Sequence, residues 1–95
     1  MGERCSQYFS YTTMNVEKLH EPVRVVVDFA GSQVKPLAFL RAGRKYKIQR
    51  VNLVYKRRVG AGHVWCFAVS DEGNSYILMY DPENLQWVLE EVSSL

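Results

Sequence analysis

Arg41, Ala42, Gly43, Arg44, Lys45, Tyr46, Lys47, Ile48, Gln49, Arg50, Val51, Asn52, Leu53, Val54, Tyr55, Lys56, Arg57 and Arg58 form the stretch whose reading decides the fold. Its first part alternates, with Tyr46 and Ile48 on one side of an extended chain and Lys45, Lys47 and Gln49 on the other. Successive strand side chains point to opposite faces, so this pattern predicts one buried and one solvated face. After Arg50 the phase flips: Val51, Leu53 and Tyr55 become the apolar set, and Arg50, Asn52 and Lys56 the polar one. A one-residue slip in a period of two requires a bulge or a bend, which the pattern places near Gln49 and Arg50. A strand of this kind can serve two packing surfaces. It is expected to be the central strand of the fold and, if a ligand binds, its ligand surface.

The segments on either side also read as strands. Pro22 opens the first, where Val23, Val25, Val27 and Phe29 share a face and the β-branched run disfavours helix. Gly31-Ser32 is a hairpin signal. Residues 34–40 form a second strand, with Leu37 and Phe39 inward and Pro36 at an edge. Ala42-Gly43 turns the chain into the long third strand, and Gly60-Ala61-Gly62 reverses it again. In 63–70, Trp65, Phe67 and Val69 alternate with Val64, Cys66 and Ala68, so both faces are apolar, as in a covered strand or an oligomer contact. The turn residues Asp71, Glu72, Gly73 and Asn74 lead to 75–81, also apolar on both sides. The last segment fits two templates. Asp81-Pro82-Glu83 resembles a helix start, but Leu85, Trp87 and Leu89 alternate, and a sixth strand is favoured. Residues 1–21 are polar and aperiodic and are expected to be a flexible tail, with 22–95 a single β domain.

Composition bounds the class. Ninety-five residues, 47% apolar and 23% charged, suit one globular domain. No apolar run spans a bilayer, and the N-terminus lacks the apolar core of a secretory signal, so no membrane partner is expected. Cys5 and Cys66 form neither a disulfide framework nor a metal spacing, Cys66 reads as a small buried thiol, and a reducing, cytoplasmic setting is expected from this cysteine usage. Charge is strongly segregated. Residues 29–70 hold nine bases and no acid, whereas residues 71–95 hold six acids and no base. Two accounts compete: acidic strands pair with basic ones across the sheet, which is the favoured account, or a basic face stands apart and binds an anion.

Nothing converges into a catalytic or metal set. His20 and His63 have no partner at ligand spacing. His63 and Cys66, three apart on a strand, point to opposite faces, and only a hairpin could bring His63 near Asp71. The glycine loop is not a phosphate loop, since no Lys-Ser or Lys-Thr follows it. The expectation is a non-enzyme without cofactor or metal. Tyr46, Tyr55, Trp65, Tyr76, Tyr80 and Trp87 accompany the basic residues, as stacking aromatics do in single-strand binders. Tyr46, however, alternates away from Lys45 and Lys47, which favours core filling for these rings.

Pro22-Val23, Gly31, Pro36-Leu37-Ala38-Phe39, Gly43-Arg44-Lys45-Tyr46-Lys47-Ile48, Phe67, Gly73, Tyr76-Ile77-Leu78, Tyr80-Asp81 and Trp87-Val88-Leu89 carry a resemblance over about residues 22–92. They resemble a small uncharacterised bacterial β domain, found alone or attached to proteins similar to Y-family translesion DNA polymerases. That family's pattern has an aromatic near the position of Arg41, which this chain lacks. The resemblance implies a nearly all-β module in the company of DNA-handling proteins, with no assigned activity.

The expected fold is all-β, an antiparallel meander of five or six strands forming a small curved sheet or open barrel. The expected function is non-catalytic binding of DNA or RNA through Arg44, Lys45, Lys47, Arg50, Lys56, Arg57 and Arg58. The alternative is a protein-interaction or homodimerisation module, motivated by Cys66, Ala68, Ile77 and Met79. A ligand pocket inside the barrel is a third option, which Trp65, Phe67 and Trp87 would exclude by filling it.

Overall fold

The β-branched residues Val23, Val25, Val26 and Val27 favour extended backbone. In the computed structural model, which describes residues 16–94, they lie within β1 (Val16–Ala30). This strand begins six residues before Pro22, because Val16, Glu17 and Lys18 already lie opposite Ser93, Val92 and Glu91. The tail expected over 1–21 is therefore corrected for 16–21, and residues 1–15 lie outside the described region. Pro22 follows an irregularity between Lys18 and Glu21 and precedes the pairing with the next strand, which begins at Arg24. One side of β1 is free there, so a missing N–H is tolerated.

Six strands follow: β2 (Gln33–Arg41), β3 (Arg44–Lys47), β4 (Arg50–Val59), β5 (Gly62–Ser70), β6 (Asn74–Asp81) and β7 (Gln86–Ser94). The favoured strand reading of the last segment matches β7. The sheet is antiparallel and open, in the order β3-β2-β1-β7-β6-β5-β4. Among the described residues seven strands replace the expected five or six, because the long third strand is divided. The Ile48 N–H donates to the Leu37 carbonyl at 2.9 Å, extending the β3–β2 ladder, and the next N–H, from Gln49, donates to the Ser70 carbonyl at 3.0 Å, starting the ladder to β5. The chain changes partner between two consecutive residues. The stretch 41–58 is therefore not central: it supplies both edges, and β7 occupies the middle. Solvation explains the placement. From Asn52 to the end of β4 every residue is exposed, and a strand so rich in cations cannot be covered on both sides.

The sheet curls around one core. Phe39, Phe67, Val69, Tyr76, Leu78 and Leu89 are buried together, with Val23, Val25, Tyr46, Ile48, Val51 and Trp87 packed against them. Tyr46 on one edge strand lies 6.3 Å, ring to ring, from Tyr76 on β6, and Phe39 sits between them at 5.1 and 5.0 Å. Strands so far apart in sheet order can meet only if the sheet rolls up. Four register irregularities, at Lys18/Glu21, Val26/Val27, Val51/Leu53 and Ile77/Leu78, supply bends for that coiling. Full burial of side chains such as Leu78 and Leu89 contributes about 2–3 kcal/mol each. Leu37, expected inward, is 41% exposed, because the irregularity opposite Val26/Val27 makes it the extra residue of β2 and turns Pro36 into the core instead. On the outer face Val64, Cys66, Met79 and Val88 form a second buried cluster, so β5 and β6 are covered on both sides as their composition implied. Among the described residues no helix is long and apolar enough to cross a membrane.

Candidate nucleic-acid interface

The seven basic residues singled out in the sequence fall on the two edge strands. Arg44, Lys45 and Lys47 belong to β3, and Arg50, Lys56, Arg57 and Arg58 to β4. On β3 the alternation holds. Tyr46 lies opposite the buried Phe39, and Lys45 and Lys47 lie opposite Leu40 and Ala38 on the other face. On β4 the phase is corrected. The slip sits at Asn52, which is unpaired between Val51 opposite Val69 and Leu53 opposite Ala68. The Asn52 amide donates to Ser70 Oγ at 3.1 Å. Directly opposed residues of an antiparallel pair share a face. Val54, Lys56 and Arg58 therefore share the inner face with Phe67, Trp65 and His63, and Leu53, Tyr55 and Arg57 share the outer face with Ala68, Cys66 and Val64. The run Lys56-Arg57-Arg58 is split between two faces.

Among the described residues, charge pairing across the sheet, the favoured account in the sequence, is limited to two contacts. Arg57 Nη2 donates to Glu90 Oε2 at 2.8 Å, and Arg41 Nε donates to Glu21 Oε2 at 3.2 Å. Among the described residues, Arg44, Lys45, Lys47, Arg50, Lys56 and Arg58 have no carboxylate within 4.0 Å. Topology keeps the charges apart, because Glu90 and Glu91 lie on the central β7 and the other C-terminal acids at the β5–β6 and β6–β7 turns. The two halves of the basic set differ. Arg44, Lys45 and Lys47 line a shallow recess shared with Asp71 and Glu72, whose field offsets theirs. Lys56 and Arg58 have no carboxylate within 4.0 Å among the described residues, and the Glu83 carboxylate near Gly62 is an acid toward the Arg58 end of β4.

Asp71 is bound into its own turn. It accepts from the Gly73 N–H at 3.0 Å, the Asn74 N–H at 2.9 Å and the Tyr76 hydroxyl at 2.8 Å. Burial alone would push its carboxyl up, but these hydrogen bonds outweigh burial and hold it below the usual range. It lies beyond the far end of β5 from His63, so the two do not meet. His20 and His63 are exposed on separate strands. Cys66 is free and fully buried, and burial raises its thiol pKa. Among the described residues no group of three or more His, Cys, Asp or Glu is placed to hold a metal ion.

A cleft adjoins the basic edge. β3 pairs with β2 only as far as Ala38, so residues 33–36 of β2 have no strand on that side. Between them and β4 lies a cavity of about 450 Å³, walled by Val34, Lys35, Val51 and Val54, with Trp65, Phe67 and Tyr80 beneath. Phe67 and Trp87 pack at 5.4 Å and fill the interior, but Trp65 lies at the mouth, 38% exposed, with Lys56 Nζ 5.3 Å from its ring centroid. Strand alternation assigned Trp65 to the core; Trp65 does share the inner face with Phe67, but it lies opposite Lys56 on the exposed edge strand and stays partly open to solvent.

No protein-family model matches the chain, and no curated protein or solved structure is significantly similar to it.

Proposed function

We propose that this domain is a non-catalytic module that binds nucleic acid through phosphate contacts from Arg44, Lys45, Lys47, Arg50, Lys56 and Arg58. One observation carries the reading: these six cations have no carboxylate partner within 4.0 Å among the described residues. They line the two edges of a sheet whose opening joins those edges through Ile48 and Gln49, so one anionic strand can meet both sets. Arg57 is set aside, since Glu90 already engages it. The resemblance to a domain found beside Y-family polymerase-like proteins agrees with this reading.

A mobility-shift titration with single- and double-stranded DNA and RNA at low salt tests it. Binding is expected, with log affinity falling against log salt by close to one unit per phosphate neutralised. A Lys45→Glu, Lys47→Glu double variant should bind more weakly. No binding by the wild type, or full affinity in that variant, would count against the proposal.

A second reading has its own observation. β4 is a ten-residue edge strand with Leu53, Val54, Tyr55 and Val59 exposed, a template for pairing with another chain. Of the residues first suspected for this, Cys66 and Met79 are buried, whereas Ala68 and Ile77 remain partly exposed. Light scattering of the concentrated protein decides the homodimer form, and a strict monomer removes it.

A further inference from the structure

We propose that the cleft between β2 and β4 takes an unpaired base of a single-stranded nucleic acid, stacked on Trp65, with the flanking phosphates on Lys56 and Arg58. This rests on the nucleic-acid reading above and narrows it to single strands.

The cavity, about 450 Å³, falls within the ~300–1,000 Å³ typical of small-ligand sites. Its floor is aromatic, and the exposed indole of Trp65 offers a ring to any base, since every base has a stacking face. Its rim is cationic on the β4 side, where Lys56 and Arg58 share the inner face with Trp65 and His63. Lys35 alternates with the inward Val34 and Pro36 and lies opposite Asp28, so its side chain belongs to the outer face. No Asp or Glu lines the cavity, and no carboxylate lies within 4.0 Å of Lys56 or Arg58 among the described residues. An apolar aromatic floor with a positive rim matches a planar base carried on an anionic backbone. Lys56 shows how the two parts connect. Its ammonium now rests 5.3 Å from the Trp65 ring centroid, and its flexible stem lets it leave the ring for a phosphate when a base arrives. The side of residues 33–35 turned away from β1 has no strand partner and borders the same space, where its backbone polar groups can meet a base edge. A base within a duplex is stacked and paired and cannot enter.

Fluorescence anisotropy with a labelled oligothymidylate of about twelve nucleotides tests the proposal, with a duplex of equal length in parallel. Trp65→Ala should weaken single-strand binding about tenfold, Trp65→Phe should keep most of it, and neither should change duplex binding. Val54→Glu, at an exposed wall of the cleft, should weaken single-strand binding as well. In a Trp87→Phe variant Trp65 is the remaining tryptophan, and its emission should be quenched by the oligonucleotide. Circular dichroism checks that each variant folds, and if Trp65→Ala does not, the Val54→Glu affinity and the Trp65 emission decide. Salt-dependent binding by the wild type with unchanged affinity in these variants and unchanged emission would overturn the cleft proposal and leave the phosphate contacts standing. Equal displacement of the oligonucleotide by polyglutamate would also overturn it, in favour of an acidic peptide. No binding of either nucleic acid at low salt would sink the nucleic-acid reading, and the inference with it.

Discussion

Arg57, on the outermost strand β4, reaches across β5 and β6 to Glu90 on β7, with 2.8 Å between Nη2 and Oε2. On the way the guanidinium meets Met79 Sδ at 3.3 Å. Glu90 is the extra residue where the β6–β7 register shifts between Ile77 and Leu78. The Arg57 side chain thus lies along the outer apolar cluster as well as forming an ion pair, and its stem helps cover Val64, which it opposes.

Truncating Arg57 therefore removes packing and charge together. Arg57→Ala should lower stability by about 1 kcal/mol in urea unfolding, and Glu90→Gln by less. A double-mutant cycle should return a coupling of about 0.5 kcal/mol, since the Arg57 side chain is 43% exposed and salt screens it. A coupling indistinguishable from zero would leave packing as the only role of Arg57.

Tyr76 sets an alkaline limit. It is 4% exposed, and burial first, then its hydrogen bond to Asp71, pushes its hydroxyl from 10.0 up to about 12. The fold holds the neutral phenol, while the unfolded chain ionises near pH 10 and so binds fewer protons between those values. Stability should fall between pH 10 and about 12, by on the order of 2 kcal/mol. Asp71 acts at the other end: its lowered pKa gives stability that is present above its unfolded pKa and lost as pH falls through the folded one. Tyr76→Phe should flatten the alkaline loss, weaken the acid-side dependence and cost about 1 kcal/mol at neutral pH. Denaturation midpoints across pH for the two proteins test all three effects.

The Ala42-Gly43 turn carries strain that can be relieved. Both residues have positive φ, 52° and 77°, as a type I′ turn requires, and alanine pays for that conformation where asparagine tolerates it. Ala42→Asn should raise stability by about 0.5–1 kcal/mol, seen as a higher thermal midpoint. An unchanged or lower midpoint would mean that the turn relaxes without penalty.

Local pattern carried much of this fold. The alternation of Lys45, Tyr46 and Lys47 gave the faces of β3, Gly31-Ser32 and Ala42-Gly43 marked turns, and two apolar faces marked β5 and β6 as covered. What the pattern lacked was partner choice. Ile48 and Gln49 read as consecutive positions of one strand, yet they bond to Leu37 and Ser70 on opposite sides of the sheet order. That division follows from β1 pairing with β7, a contact between the two ends of the domain that no local period encodes. The bulge at Asn52 was misplaced for a similar reason: alternating residues report a slip but not which residue is left unpaired. The cationic set was therefore legible as residues, while its division into β3 and β4 halves, and the cleft beside Trp65, depended on the folded chain.

The two halves should differ in binding. Asp71 and Glu72 share the recess of Arg44, Lys45 and Lys47, so an anion there meets a partly cancelled field, whereas no acid lines the cleft beside Lys56 and no carboxylate lies within 4.0 Å of Lys56 or Arg58 among the described residues. Neutralising Lys56 and Arg58 together, as Lys56→Gln and Arg58→Gln, should weaken oligonucleotide binding about tenfold at low salt and shorten the log–log salt slope by about two. Neutralising Lys45 and Lys47 in the same way should do less, and Asp71→Asn should strengthen binding slightly by unmasking them. Arg57→Ala, already engaged by Glu90, should stay within about twofold of wild type. Anisotropy titrations at several salt concentrations measure all four variants, and equal losses for the two pairs would mean that binding follows total charge rather than this arrangement.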